Sequence, residues 1–222
     1  MNGMNYSGFW KKIGKAGAEL LALNARTCAV CGRDIREGAV CRECARQLAE
    51  ARILQAERLS GIPLYSCYRY DACVRTILLR FKLNHSPWLA EAIGDQMASF
   101  LRSRALGFSA VTFVPLSRKR ELERGYNQAE LLAREIGKRL EIPAMPLLRR
   151  SRKTKVQSRL KAEERAENLK DAFALMHKEQ ALRGQRILLV DDVATTGTTI
   201  LQCAKPLQEA GASVAAIVFA RA

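Results

Sequence analysis

Two adjacent carboxylates, Asp191 and Asp192, close the apolar run Ile187-Leu-Leu-Val190, and Val193, Ala194, Thr195, Thr196, Gly197, Thr198 and Thr199 follow at once. Four consecutive apolar residues suit a central parallel strand that is buried on both faces. The carboxyl end of such a strand opens onto the crevice in which open α/β sheets bind ligands. A turn rich in threonine and glycine that runs into a helix presents backbone N–H groups and hydroxyls, which together cradle an anion. The segment from Ala194 to Thr199 therefore reads as a phosphate loop. The two acids, one turn away, accept hydrogen bonds from sugar hydroxyls. Left unpaired at a sheet edge, they would be costly to bury.

A second constellation lies far upstream. Cys28-Ala-Val-Cys31 and Cys41-Arg-Glu-Cys44 are two Cys-x2-Cys pairs separated by nine residues. Each pair forms a knuckle that turns two thiolates to one side, and Gly32 eases the first turn. Two knuckles complete a tetrahedral, all-sulfur shell suited to Zn²⁺, with no position left for water, so the metal is expected to be structural. Arg26, Arg33 and Arg42 lie nearby and offset the thiolate charge. The seven cysteines are odd in number and unevenly placed, which does not suit a disulfide framework and points to a reducing compartment. Cys67, Cys73 and Cys203 are isolated and read as buried apolar residues.

A third group is basic. Val114-Pro-Leu-Ser117 leads into Arg118, Lys119 and Arg120, and Arg124-Gly-Tyr-Asn127-Gln128 follows. Between Arg149 and Lys161 stand seven basic residues and no acidic one, among them Arg150, Arg152, Lys153 and Lys155. This run reads either as a solvated face or as a cover that neutralises a polyanionic leaving group. His85 and His177 are lone histidines, and no general base is evident.

The elements that position these residues follow from periodicity and punctuation. Ala45 to Leu59 is expected to be a helix ended by Gly61-Ile-Pro63, and Pro63 to Tyr70 a strand. Asp71 caps a helix to about Leu83, Asn84-His-Ser-Pro87 breaks it, and another helix runs to about Leu106. Val111 to Val114 is a buried strand, Tyr126 to Leu140 a helix and Ala144 to Leu148 a weak strand. Arg186 to Val193 is a strong strand, Thr198 to Ala210 a helix and Ser213 to Arg221 a final strand. This alternation predicts an α/β domain, a parallel sheet flanked by helices. We expect three parts: a helical segment over 1–27, a zinc-binding module over 28–60 and the α/β domain over 61–222.

Composition sets the bounds. With 222 residues, the chain can hold one ordinary α/β domain and a small appendage. A net charge of +15 favours a polyanionic partner, either nucleic acid or a phosphate-rich small ligand. No apolar stretch is long enough to span a bilayer. Phe9 and Trp10 are followed by Lys11, Lys12 and Lys15, without the apolar core of a signal peptide, so a cytoplasmic protein is expected.

The stretch from Arg186 to Thr199 resembles the signature of the type I phosphoribosyltransferases. The ordered set of a double Cys-x2-Cys, Val114-Pro-Leu, Arg124-Gly-Tyr-Asn-Gln128, Thr154-x2-Gln157, Arg165-x2-Asn168-Leu169 and the Asp191-Asp192 loop resembles the ComF, or competence protein F-like, family. The resemblance implies that Asp191 and Asp192 bind the ribose hydroxyls of phosphoribosyl pyrophosphate and that Thr195 to Thr199 bind its 5-phosphate. It further implies that Mg²⁺ enters with the pyrophosphate. On the enzyme reading, Arg118 and Lys119 meet the pyrophosphate. The family also implies a role in DNA uptake, so a second reading stands beside the first: a single-stranded DNA-handling protein governed by a sugar phosphate, with Arg150, Arg152, Lys153 and Lys155 on the nucleic acid. The sequence leaves turnover, the acceptor and the oligomeric state open. Stacking aromatics for single strands are few.

Overall fold

The computed structural model describes residues 27–83, 86–151, 172–177 and 182–222. Of the helical segment expected over 1–27, residues 1–26, Arg26 among them, lie outside the described residues, as do His85, Arg152, Lys153, Lys155 and the motifs up to Leu169. In chain order the elements are α1 (Arg42–Glu50), β1 (Glu57–Leu59), β2 (Ile62–Arg69), α2 (Ala72–Leu83), α3 (Leu89–Arg102), β3 (Ala110–Phe113), α4 (Arg118–Arg124), α5 (Gln128–Leu140), β4 (Leu148–Arg150), β5 (Phe173–Leu175), β6 (Arg186–Ala194), α6 (Thr198–Glu209) and β7 (Ser213–Arg221).

The main sheet runs β1-β2-β7-β6-β3. Three of its four pairings are parallel, and at the edge β1 lies antiparallel to β2. The expected α/β parallel sheet is thus the observed one. β6 and β7 form its centre because their middles are apolar on both faces. Ile187 to Val190 and Ala216 to Val218 are fully buried, with Val190 opposite Ile217. α5 starts where the Asn127 side chain accepts the Ala129 N–H at 3.0 Å, and it stops at Glu141, whose backbone is left-handed. Its apolar stripe, Leu132, Ala133 and Ile136, is fully buried.

Two expectations are corrected. Ala45 to Leu59 is not a single helix: α1 ends at Glu50 and β1 occupies Glu57–Leu59. Helix propensity is high throughout, but β2 captures the backbone. The Ile53 N–H donates to the Cys67 carbonyl at 3.0 Å, and the Ala51 carbonyl accepts from the Arg69 N–H at 2.8 Å. Ser60 and Gly61, both at positive φ (47° and 86°), then make the two-residue turn that joins β1 to β2 with the correct twist. The weak strand expected over Ala144–Leu148 is also displaced. Ala144 makes only an isolated bridge to Val111, and the strand begins at Leu148, where it pairs antiparallel with β5.

Candidate functional site

The acids stand where a buried parallel strand must deliver them, at the carboxyl end of β6. The Asp192 N–H donates to Asp191 Oδ1 at 2.9 Å, so the two carboxylates are bound to one backbone geometry. Asp192 is buried, and its Oδ2 lies 2.7 Å from Lys82 Nζ at the end of α2. Asp191 answers differently to the same surroundings. Burial, reinforced by the neighbouring Asp192 charge, pushes its carboxyl up to about 7, against the Asp192 N–H and Lys82, which favour the ion. Near neutrality the pair therefore holds less than its full negative charge.

The turn after β6 leads into α6 through Gly197, whose φ of 77° and ψ of 0° lie in the left-handed region. Glycine is needed there for a second reason. A Cβ at this position would lie 2.4 Å from Leu59 Cδ1. Thr195 and Thr196 are exposed, and Thr196 Oγ1 lies 2.8 Å from Thr198 Oγ1 and accepts the Thr198 N–H at 3.4 Å. Hydroxyls and the amino end of a helix thus face one small space, as an anion site requires.

Acids and turn line the same cleft, of about 330 Å³, together with Ala194, Thr195, Thr196, Gly197, Thr198 and Thr199. Its cations come from other elements: Lys82 from α2, Arg120 and Arg124 from α4 and Arg150 from β4. Burial lowers the pKa of Arg120, and so does Arg124 beside it; burial and then Arg120 act on Arg150 in the same way. Cations crowded enough to disfavour one another are poised for a polyanion.

Arg118 and Lys119 are not among the described residues that line this cleft. Both are exposed, and Lys119 Nζ lies 3.9 Å from Glu123. The Ser117 side chain caps α4 by accepting the Arg120 N–H at 3.4 Å, which starts a helix on which Arg120 and Arg124, four residues apart, share a face. The sequence motifs include both arginines without giving either a place in the site, and the cap followed by an i, i+4 pair was the signal available. Lys82 carried none, being 110 positions from Asp192 in the chain. Arg150, expected on nucleic acid, is half-buried and turned to the cleft, with its guanidinium 5.4 Å from the Phe173 ring centroid.

The four cysteines do come together. The Sγ atoms of Cys28, Cys31, Cys41 and Cys44 all lie within 4.8 Å of one another, and those of Cys31 and Cys41 are 3.8 Å apart. A tetrahedron with Zn–S bonds of about 2.3 Å has edges of about 3.8 Å, so this sulfur set fits zinc. Burial raises the Cys28 thiol, but the N–H groups of Cys41, Cys31 and Val30 outweigh it and bring the pKa down to about 6. Burial and the neighbouring sulfurs push Cys44 the other way. Four sulfurs this close cannot all ionise without a cation between them. The module rests on α2, where Arg80 Nη1 donates to the Cys28 carbonyl at 2.9 Å.

A family model described as a phosphoribosyl transferase domain matches residues 87–222. The chain is similar to competence protein ComFC of Bacillus subtilis, with 31% identity over 210 residues, 92% of this chain and 81% of that protein. It is similar to competence protein F of Haemophilus influenzae, with 33% identity over 141 residues, 61% of this chain and 62% of that protein. That match spans less than two thirds of the Haemophilus protein. Identity to the DNA utilization protein YhgH of Salmonella typhimurium is 28% over 197 residues, 84% of this chain and 86% of that protein.

Proposed function

The chain belongs to the phosphoribosyl transferase domain family, in the company of competence and DNA utilization proteins, and from that premise we propose that its cleft binds phosphoribosyl pyrophosphate and supports transfer of the phosphoribosyl group with release of pyrophosphate. One observation carries the reading. Asp191 and Asp192, the turn from Thr195 to Thr199, and the cations Lys82, Arg120, Arg124 and Arg150 converge on a single cleft of about 330 Å³.

Each set has its own task. The acids accept hydrogen bonds from the ribose hydroxyls and fix the sugar. The turn and the first N–H groups of α6 hold the 5-phosphate. The arginines neutralise charge that grows on the pyrophosphate as its bond to the anomeric carbon breaks, the charge stabilisation on which such displacements depend. Magnesium would enter with the substrate, held mainly by its pyrophosphate and ribose oxygens, and would further neutralise the pyrophosphate, while Asp191 and Asp192 keep the ribose hydroxyls in place. Zinc at Cys28, Cys31, Cys41 and Cys44 has a structural task.

We further propose two units: the zinc-binding module over 28–60, whose β1 supplies the edge of the sheet, and a phosphoribosyltransferase-type unit over 61–222. A cytoplasmic setting follows from thiols held for metal rather than for disulfides. We place the activity in DNA uptake or utilisation, as the relatives' names indicate. The net charge of +15 suits single-stranded DNA as a partner away from the cleft, because Arg150 is turned inward.

Calorimetry with phosphoribosyl pyrophosphate and Mg²⁺ tests the site without presupposing an acceptor. Asp192→Asn is expected to weaken binding by about tenfold or more, the loss of a charge-assisted hydrogen bond at roughly 1.5–3 kcal/mol, with zinc content unchanged. Arg120→Gln is expected to weaken it more than Lys119→Gln. A wild-type protein that shows no binding heat, or an Asp192→Asn variant of unaltered affinity, removes the reading.

A further inference from the structure

The phosphate loop is fastened by an element that neither its own strand nor its own helix supplies. β2 joins β7 only from Leu64 onward, so the tip of the β1–β2 hairpin stands clear of that pairing. The tip reaches the loop, where Leu59 packs against Gly197 so closely that no Cβ fits between them. Two residues earlier on the hairpin, Glu57 takes the guanidinium of Arg221 in both carboxylate oxygens. Nε donates to Oε1, and Nη2 donates to Oε2 at 3.3 Å. The third nitrogen of the same guanidinium, Nη1, is shared between the Ala222 carbonyl at 3.2 Å and the Ala194 carbonyl at 3.4 Å, and the Ala222 N–H donates to the Ala194 carbonyl at 3.0 Å. Ala194 is the residue from which the loop departs.

The planar fork of arginine permits this double use. Two nitrogens engage a carboxylate while the third stays free to donate elsewhere, which a lysine ammonium cannot reproduce. Neither Glu57 nor Arg221 is among the described residues that line the cleft. Both are partly exposed, so the fold does not depend on a buried ion pair there.

We propose that Glu57 and Arg221 are positioning residues of the phosphate loop: through the Ala194 carbonyl at one end and Leu59 on Gly197 in the middle, the hairpin sets where the N–H groups of the loop stand. This inference rests on the reading of the loop as a phosphate site. A displaced cradle loses affinity steeply, since small errors in placement are amplified at preorganised sites.

The test uses the full chain with Glu57→Gln, with Arg221→Lys, and with the charge-swapped pair Glu57→Arg and Arg221→Glu. Three quantities are read: affinity for phosphoribosyl pyrophosphate with Mg²⁺, amide exchange of residues 195–198, and the unfolding midpoint. Both single variants are expected to bind about tenfold more weakly. Their loop amides exchange faster, while those of β6 and β7 do not. The swapped pair regains the ion pair, and with it the unfolding midpoint. It does not regain affinity, because a carboxylate at position 221 cannot donate to the Ala194 carbonyl. Wild-type affinity in both single variants, or affinity restored by the swap, overturns the inference and leaves the phosphate site standing. Should the wild type bind no phosphoribosyl pyrophosphate, the site reading falls and loop exchange decides alone: faster exchange in Glu57→Gln supports the fastening, and unchanged exchange refutes it.

Discussion

Gly197→Ala bears on both the loop and the hairpin that holds it. The glycine sits at φ 77°, where an alanine costs roughly 1–2 kcal/mol for its backbone alone. Its new Cβ would lie 2.4 Å from Leu59 Cδ1 and 3.1 Å from Cδ2, against the usual carbon–carbon contact of about 3.5–4.0 Å. Leu59 is half-buried, and its Cδ atoms are the mobile end of the side chain, so turning them aside adds roughly 0.5–1.5 kcal/mol. The two contributions together predict a loss of about 1.5–3.5 kcal/mol in equilibrium urea unfolding. They separate in a double-mutant cycle. With Leu59→Ala in the background the overlap disappears and the backbone cost stays, so the cycle should return a coupling of about 0.5–1.5 kcal/mol. A Gly197→Ala variant that loses less than about 1 kcal/mol would contradict the backbone argument. An equal loss in both backgrounds would show that Leu59 is not what the methyl meets.

The proton on Asp191 gives stability a dependence on pH. Its carboxyl titrates at about 7 in the folded chain against about 3.8 unfolded, so between these values the native state holds a proton that the unfolded state has released. Stability from this group is therefore greatest at the acid end of the window. It falls as pH rises towards 7, by at most about 1.4 kcal/mol per unit, and is level above. Urea midpoints at pH 5 and pH 8 should thus differ less, or in the opposite sense, in Asp191→Asn than in the wild type. Metal analysis should find close to one zinc per chain, and its removal by a chelator should speed amide exchange over residues 28–44 while β6 and β7 stay protected.

Much of this architecture was open to reading because the centre of the sheet advertises itself. Ile187 to Val190 and Val214 to Ala220 are short, continuous apolar runs bounded by polar residues and turns, the pattern of a parallel strand covered on both faces. The acids and the Thr–Gly turn follow by position. β1 was illegible for the opposite reason. Glu57-Arg-Leu59 carries no strand pattern and sits in a stretch of strong helix formers, so pairing with β2 and the Ser60–Gly61 turn decide its state. The β4–β5 hairpin joins two three-residue strands across 22 intervening positions, a separation at which local signals are silent. The cations of the cleft were visible as charge but not as direction. Arg118 and Arg120 read alike in a basic run, and only the Ser117 cap fixes the helical phase that exposes one and turns the other inward.

That phase bears on the compound ligand we propose for the cleft. Lys82, Arg120, Arg124 and Arg150 crowd one space, and two of the arginines are already pressed towards lower pKa by burial and by one another. They favour any anion. The acids opposing them favour hydroxyl donors, yet Asp191 resists ionising because burial and Asp192 both hold its proton on. A simple phosphate would answer the cations and the loop but bring no hydroxyls to the acids. An uncharged sugar would answer the acids but bring no anion to the arginines. The ligand we propose, a phosphorylated pentose with a second anionic arm, carries hydroxyls between two anionic groups in one covalent structure and so would meet the acids, the loop and the arginines together.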